Sequence, residues 1–234
     1  MPSREIAVHM QISPSEYIVG LRGVKIEVDG TGTGALIFNR WDDDLSRFIR
    51  CFSHNDAPHL HKMRASVGTG YVFAAMQILS CVAKGLEVIH KDGWMHGDIS
   101  SANVLWRQTP YAFQAALTDF GKCVRQNSNE AHDVGIFYRP PISKMEPKRT
   151  RALDIYSFGI LIYSLVMCKM SLPATGALRK LELESASQVF KASVEPFPNC
   201  KQALLDVAWD CVNTSPTARP AATELVAAME KMMT

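Results

Sequence analysis

The stretch WMHGDISSANVLW (residues 94–106) gathers His96, Asp98, Ser100, Ser101 and Asn103 between two apolar ends. A further carboxylate, Asp119, opens the triplet Asp119-Phe120-Gly121 sixteen residues after Asn103. Phosphoryl transfer is one chemistry that such residues can do. It asks for an acceptor hydroxyl held in line, a carboxylate to receive its proton, and a divalent cation across the phosphates. Hard Mg²⁺ takes oxygen ligands, one or two of them carboxylates, with water and phosphate completing the shell. Asp98 can act as the base, and Asn103 and Asp119 can offer oxygens to the metal. Each residue alone says little, because Asp and Asn are common in loops, and a polar loop between two strands is the plainer reading. Together they spell H-x-D-x-x-x-x-N followed by D-F-G, a combination hard to obtain by chance.

Such a loop needs a strand–turn–strand to hold it. Short apolar pieces at 103–106 and 115–118 flank a turn and supply one. Before them, Val72, Met76, Leu79, Ala83 and Leu86 recur at three- and four-residue spacing, which predicts one long amphipathic helix ending before Lys91-Asp92-Gly93. Residues 155–167 are apolar on every side, the pattern of a buried helix. Residues 204–211 and 221–232 read as later amphipathic helices. At the front, Glu5, Ile6 and 8–12 begin helically and Pro14 interrupts them. Strands are then expected at 17–28 and 35–38 around DGTGTG, a hairpin turn. Gly30, Gly32 and Ala35 also meet a loose dinucleotide fingerprint, but no helix follows. From Asp42 the texture turns helical. A small mixed part followed by a large helical one is α+β in class.

Composition sets the outer bounds. A chain of 234 residues, 47% hydrophobic and 21% charged, can bury a full core as one domain or two small ones. Its net charge of +2 points to no nucleic-acid partner. The densest basic group, 144–151, is broken by Glu146 and Pro147 and reads as a solvated loop. The six cysteines form no C-x-x-C pair, and MPSREIAV lacks an apolar segment, so free thiols in a reducing compartment are expected, cytoplasmic with the nucleus as the other possibility. The longest apolar run, 155–167, falls short of the about 20 residues that span a bilayer. His59 and His61 follow a proline in a polar loop and read as exposed rather than metal-ligating.

The paired motifs make the sequence similar to the eukaryotic protein kinase family, and the likeness covers nearly all of the chain. Glu5 with residues 14–24 resembles the C helix and the strand after it. LIFNRWDDDL resembles the interlobe hinge, with Phe38 in the gatekeeper place. VGIFYRPPI resembles the end of an activation segment, DIYSFGILIYSL the F helix, and CVNTSPTARP the C-W-x-x-x-P-x-x-R-P region. The wording GWMHGDISSANVL is closest to fungal-type protein kinases. The resemblance implies one kinase-like domain over 1–234, with a partial N-lobe at 1–38, a hinge at 39–45 and a mainly helical C-lobe at 46–234. It implies Asp98 as catalytic base, with Asn103 and Asp119 as Mg²⁺ ligands. Phe120 and His96 would pack in a lobe-spanning apolar spine, and Asp154 would brace the catalytic loop. Asn39, Arg40 and Trp41 would offer hinge backbone to adenine, and Asp44 would meet the ribose. ATP and Mg²⁺ are the implied cofactors and a protein hydroxyl, Ser/Thr favoured, the implied acceptor.

Departures from the family pattern bear on activity. The family's glycine-rich loop and V-A-I-K lysine precede the C helix, whereas this sequence opens almost at that helix. DGTGTG does not replace the loop, and the next lysine, Lys62, falls past the hinge, so Glu5 is expected to lack a lysine partner within the chain. Each lost charge-assisted contact to phosphate is worth about 1.5–3 kcal/mol, so weak or absent transfer by this chain is expected. Two strands are marginal alone, and residues 1–40 are expected to be poorly ordered in isolation. Gly97 replaces an arginine that pairs with a phosphorylated activation segment, and Ser128 is the one hydroxyl between Asp119 and Phe137. Ser100 takes the place of a lysine common in Ser/Thr kinases. Ile142 stands at the A-P-E glutamate, leaving Glu146 as a candidate partner for Arg219. Two other functions compete with the kinase: a pseudokinase scaffold, and a small-molecule phosphotransferase of the aminoglycoside or choline kinase-like type, whose H-G-D-x-x-x-x-N is similar. D-F-G and the F-helix-like segment speak against the latter.

Overall fold

A computed structural model describes residues 4–26, 33–52, 70–126, 128, 140, 150–167 and 198–234. Helix α3 (Tyr71–Lys91) follows helices α1 (Arg4–His9) and α2 (Leu45–Phe52), and is followed by α4 (Arg151–Met167), α5 (Pro198–Cys211) and α6 (Ala222–Met233). Its apolar residues recur at helical spacing and bury Val72, Ile78, Leu79, Val82, Leu86 and Ile89 against α6, α4 and the strand at Phe113–Leu117. By length and composition α3 is the one helix among the described residues able to cross a membrane, and 67% of that apolar window is buried inside the protein. The core of the fold accounts for its apolarity.

Helix α4 is buried along 153–166, as its apolar pattern requires. Its hydroxyls are satisfied one turn back: Ser157 donates to the Leu153 carbonyl at 3.1 Å and Ser164 to that of Ile160 at 2.9 Å. At Gly159 the helix approaches α5 so closely that an added Cβ would lie 2.6 Å from the Cys211 Cβ and 2.9 Å from the Ala208 carbonyl oxygen.

Strands β5 (Val104–Gln108) and β6 (Phe113–Leu117) form an antiparallel hairpin, with Val104 opposite Leu117 and Gln108 opposite Phe113. Strand β3 (Asp43–Asp44) adds to the β5 edge, giving the order β3-β5-β6. Strands β4 (Trp94–Met95) and β7 (Val124–Arg125) pair separately and bring the two ends of the polar region together. At the front, β1 (Leu21–Ile26) and β2 (Thr33–Phe38) pair antiparallel, Leu21 opposite Phe38 and Ile26 opposite Thr33, and residues 27–32, which hold most of DGTGTG, lie outside the described residues.

The class is α+β, as expected, and two local readings change. The strand read over 17–28 divides: Tyr17 and Val19 exchange backbone bonds of 2.9 Å with Leu117, while pairing with β2 begins at Leu21. Asp43 and Asp44 are a strand rather than the start of a helix, because the β5 edge offers their backbone partners. Lys62, His59, His61, Ile142, Glu146 and all of VGIFYRPPI except Pro140 lie outside the described residues.

Candidate active site

The β5–β6 hairpin sets Asn103 and Asp119 at one end. Asn103 precedes the Val104–Leu117 pair, and its carbonyl accepts from the Thr118 N–H at 3.1 Å, so Asp119 follows one residue on. Across the 3₁₀ turn Ser101–Asn103, the Asn103 Nδ2 donates to the Asp98 carbonyl at 2.9 Å, which leaves the amide oxygen as the group still to be used. Asp119 is the one non-glycine residue with positive φ among those described (φ 61°, ψ 76°). That conformation costs about 1–2 kcal/mol. It is held by the 3₁₀ turn Phe120–Lys122, where Asp119 Oδ1 accepts from the Gly121 N–H at 3.2 Å and the Phe120 ring is fully buried. Asp98, Asn103 and Asp119 are thus tied into one unit through the Asp98 carbonyl, Asn103 and the Thr118 N–H.

Asp154, in the first turn of α4, holds the loop from beneath. Its carboxylate accepts from the N–H of His96 and of Gly97, both at 2.8 Å, and meets His90 Nε2 at 2.9 Å. Burial alone would raise its pKa, but the hydrogen bond and charge of His90, with smaller help from His96 and Gly97, hold it below the usual carboxylate value. Gly97 has φ +78°, a backbone region glycine occupies without strain, so the residue that replaces an arginine fits a turn that a side chain would burden. His96 is buried; burial lowers its pKa, and its Nε2 lies 3.0 Å from the Thr118 carbonyl. Sequence reasoning reached Asp154 but not the role of His90, which lies in the last turn of α3 and meets Asp154 only because α3 and α4 dock.

A column of rings runs up from the loop. His96 and Phe120 are 5.0 Å apart between centroids, Phe120 and His9 4.8 Å, and His9 and Phe38 5.5 Å. His9 was missed; the available signal was its place one turn after Glu5 on α1. Burial lowers the His9 pKa. Glu5 sits beside the same turn with its pKa raised, first by burial and then by the charge of Asp119, and lowered in part by the Phe120 N–H. The charge of Asp119 is thus felt at Glu5.

The segment expected to meet adenine and ribose lies along the other side of β5. Asn39 accepts from the Arg22 guanidinium, Arg40 is exposed, and the Trp41 ring lies under the Arg107 guanidinium at 4.7 Å. Asp44 caps α2, its Oδ1 accepting from the Arg47 N–H at 3.0 Å, and its carbonyl accepts from Trp106 Nε1 at 3.1 Å. Ser46 and Ser101 hydroxyls meet at 2.9 Å in a buried bond that fastens this segment to the loop. The Asp98 carboxylate points toward Lys122, with Oδ2 3.2 Å from Nζ.

The donors fit a hard divalent cation. An amide oxygen and a carboxylate stand at one end of the hairpin, and among the described residues no group of three or more His, Cys, Asp or Glu builds a closed cage. Mg²⁺ needs none, because phosphate and water complete its shell. The sequence profile of the protein kinase domain matches residues 2–229. The chain belongs to the protein kinase family. Among its relatives is the serine/threonine-protein kinase PkaA of Streptomyces coelicolor, 32% identical over 175 residues, covering 73% of this chain and 31% of PkaA. An inactive leucine-rich repeat receptor-like serine/threonine-protein kinase of Arabidopsis thaliana is 30% identical, covering 65% of this chain and 25% of that protein. A serine/threonine/tyrosine-protein kinase of the same plant is 30% identical, covering 64% and 38%. This kinase chain spans well under half the length of each.

Proposed function

We propose that the chain transfers the γ-phosphoryl group of ATP to a protein hydroxyl, with serine or threonine favoured. Asp98 takes the hydroxyl proton, and Asn103 and Asp119 hold Mg²⁺, which when bound neutralises charge on the phosphates. Backbone of Asn39, Arg40 and Trp41 receives adenine, and the second oxygen of Asp44 meets the ribose. One observation carries the reading: Asp98, Asn103 and Asp119 converge through the 2.9 Å Asn103–Asp98 bond and the 3.1 Å Asn103–Thr118 bond. A cytoplasmic, reducing setting goes with the free thiols of Cys81, Cys123 and Cys211. A scaffold without transfer is the second reading. It is favoured by Glu5, whose carboxyl is pushed toward its neutral form first by burial and then by the charge of Asp119.

Two assays divide these readings. With Mg²⁺ and ATP the melting temperature should rise, and Asp119→Ala should remove that rise. Phosphorylation of the chain itself or of casein should fall about 10²–10⁴-fold in Asp98→Ala, the usual worth of a positioned base. Transfer that survives Asp98→Ala sinks the proposed role of Asp98, and a wild type that binds ATP without transferring is the scaffold.

A further inference from the structure

The 3₁₀ turn that presents Asp119 also carries a cation. Lys122 Nζ lies 3.2 Å from Asp98 Oδ2, with the lysine side chain 35% and the aspartate 17% exposed. Ser100, two residues after Asp98, brings no charge. We propose that Lys122 meets the terminal phosphate of the nucleotide during transfer, a role that rests on the kinase reading above.

Distances alone set the reach. A base lies about 2.6–3.2 Å from the hydroxyl oxygen it serves. That oxygen stands about 3–3.5 Å from the phosphorus it attacks. The phosphorus is therefore within about 7 Å of the accepting carboxylate oxygen. An ammonium that already touches this carboxylate, on a flexible four-carbon stem, covers the phosphoryl oxygens with a small rotation. Its partial exposure leaves it reachable from the cleft.

Charge balance points the same way. Asp98, Asp119 and Glu5 are acidic. A triphosphate entering such a site needs positive charge beside the oxygens it must leave behind. The Lys122–Asp98 pair is partly exposed, and ion pairs of that kind contribute little to folding. The turn fixes its register to the metal ligand, since Asp119 Oδ1 caps the turn whose last residue is Lys122. In the step itself, the acceptor oxygen bonds to the γ-phosphorus as the bond to the β,γ-bridging oxygen breaks. The electron pair leaves with ADP and the hydroxyl proton passes to Asp98, while Lys122 keeps its protons throughout.

The test is displacement of a fluorescent nucleotide by ATP, ADP or adenosine, with Mg²⁺, from the wild-type chain, Lys122→Met and Lys122→Arg. Lys122→Met should lose about tenfold more affinity for ATP than for ADP, leave adenosine unchanged and melt as the wild type does. Lys122→Arg should restore most of the difference. An unchanged ATP-to-ADP ratio in Lys122→Met, or no restoration by Lys122→Arg, overturns the role. If the wild type binds none of the three, the kinase reading falls and takes this role with it. If the wild type binds and transfers while Lys122→Met keeps its ratio, only Lys122 falls.

Discussion

Two aspartates near the same loop do opposite work, and their surroundings separate them. Asp154 is buried and receives two backbone N–H groups and His90, so Asp154→Ala would strand all three without solvent. Removing one side of such a buried arrangement costs about 3–5 kcal/mol, and the urea midpoint should fall accordingly with the slope retained. The sign with pH follows from its depressed pKa. The stabilisation is complete above the unfolded value, near 3.8, and is lost as pH falls through the lower folded value, so Asp154→Ala should lack that acid loss. Asp98 touches a half-exposed lysine, and Asp98→Ala should unfold within about 0.5 kcal/mol of the wild type while transfer collapses. The roles of Asp98, Asn103 and Asp119 could be proposed from the sequence because the three stand close along the chain, just before β5 and just after β6, in motifs similar to those of the kinase family. Lys122 and His9 could not, because what each touches is decided by how distant segments dock.

At the scale of elements, periodicity found the helices because burial imposes it. Helix α4 was legible from an apolar run with no polar face, and α3 from its three- and four-residue spacing. Strands were harder. Residues 17–28 look like one strand by composition, yet Tyr17 and Val19 bond to Leu117 and the pairing with β2 starts at Leu21. The choice of partner is tertiary and leaves no mark in the local pattern. Helix contact is equally invisible in sequence, and Gly159 is the instance. Alanine there would gain up to about 1 kcal/mol of helix propensity. Its Cβ would also lie 2.6 Å from the Cys211 Cβ and 2.9 Å from a backbone oxygen of α5, neither the end of a flexible side chain. Overpacking of that kind costs about 1–3 kcal/mol, so Gly159→Ala should lower the melting temperature despite the better helix former. An unchanged or raised melting temperature would show that α4 and α5 can part freely.

Over the whole molecule, the front segment is held to the helical body by the burial of Val8, Ile12 and Ile18 and by a set of polar and ring contacts. Ser13 donates to Asp92, Arg125 reaches Gln11, Ile18 bridges Leu117, and His9 inserts between Phe38 and Phe120. The last of these titrates. His9 Nε2 is buried without a hydrogen-bond partner among the described residues, and burial depresses its pKa. The unfolded chain takes up a proton near pH 6.5 while the folded chain resists until lower pH, so folding weakens as pH falls from about 6.5 toward the folded value. Above pH 6.5 the column is intact and neutral. His96 is held low as well, but it contributes equally to the wild type and to a His9 variant and cancels in their difference. His9→Leu keeps an apolar body in the column and removes the titration. Urea unfolding at pH 7.5 and 5.5 should show a larger loss of stability for the wild type than for His9→Leu, with the variant's curves closer together. Equal losses in the two proteins would mean that the proton reaches His9 without disturbing the column, and that the front segment is held by its other contacts alone.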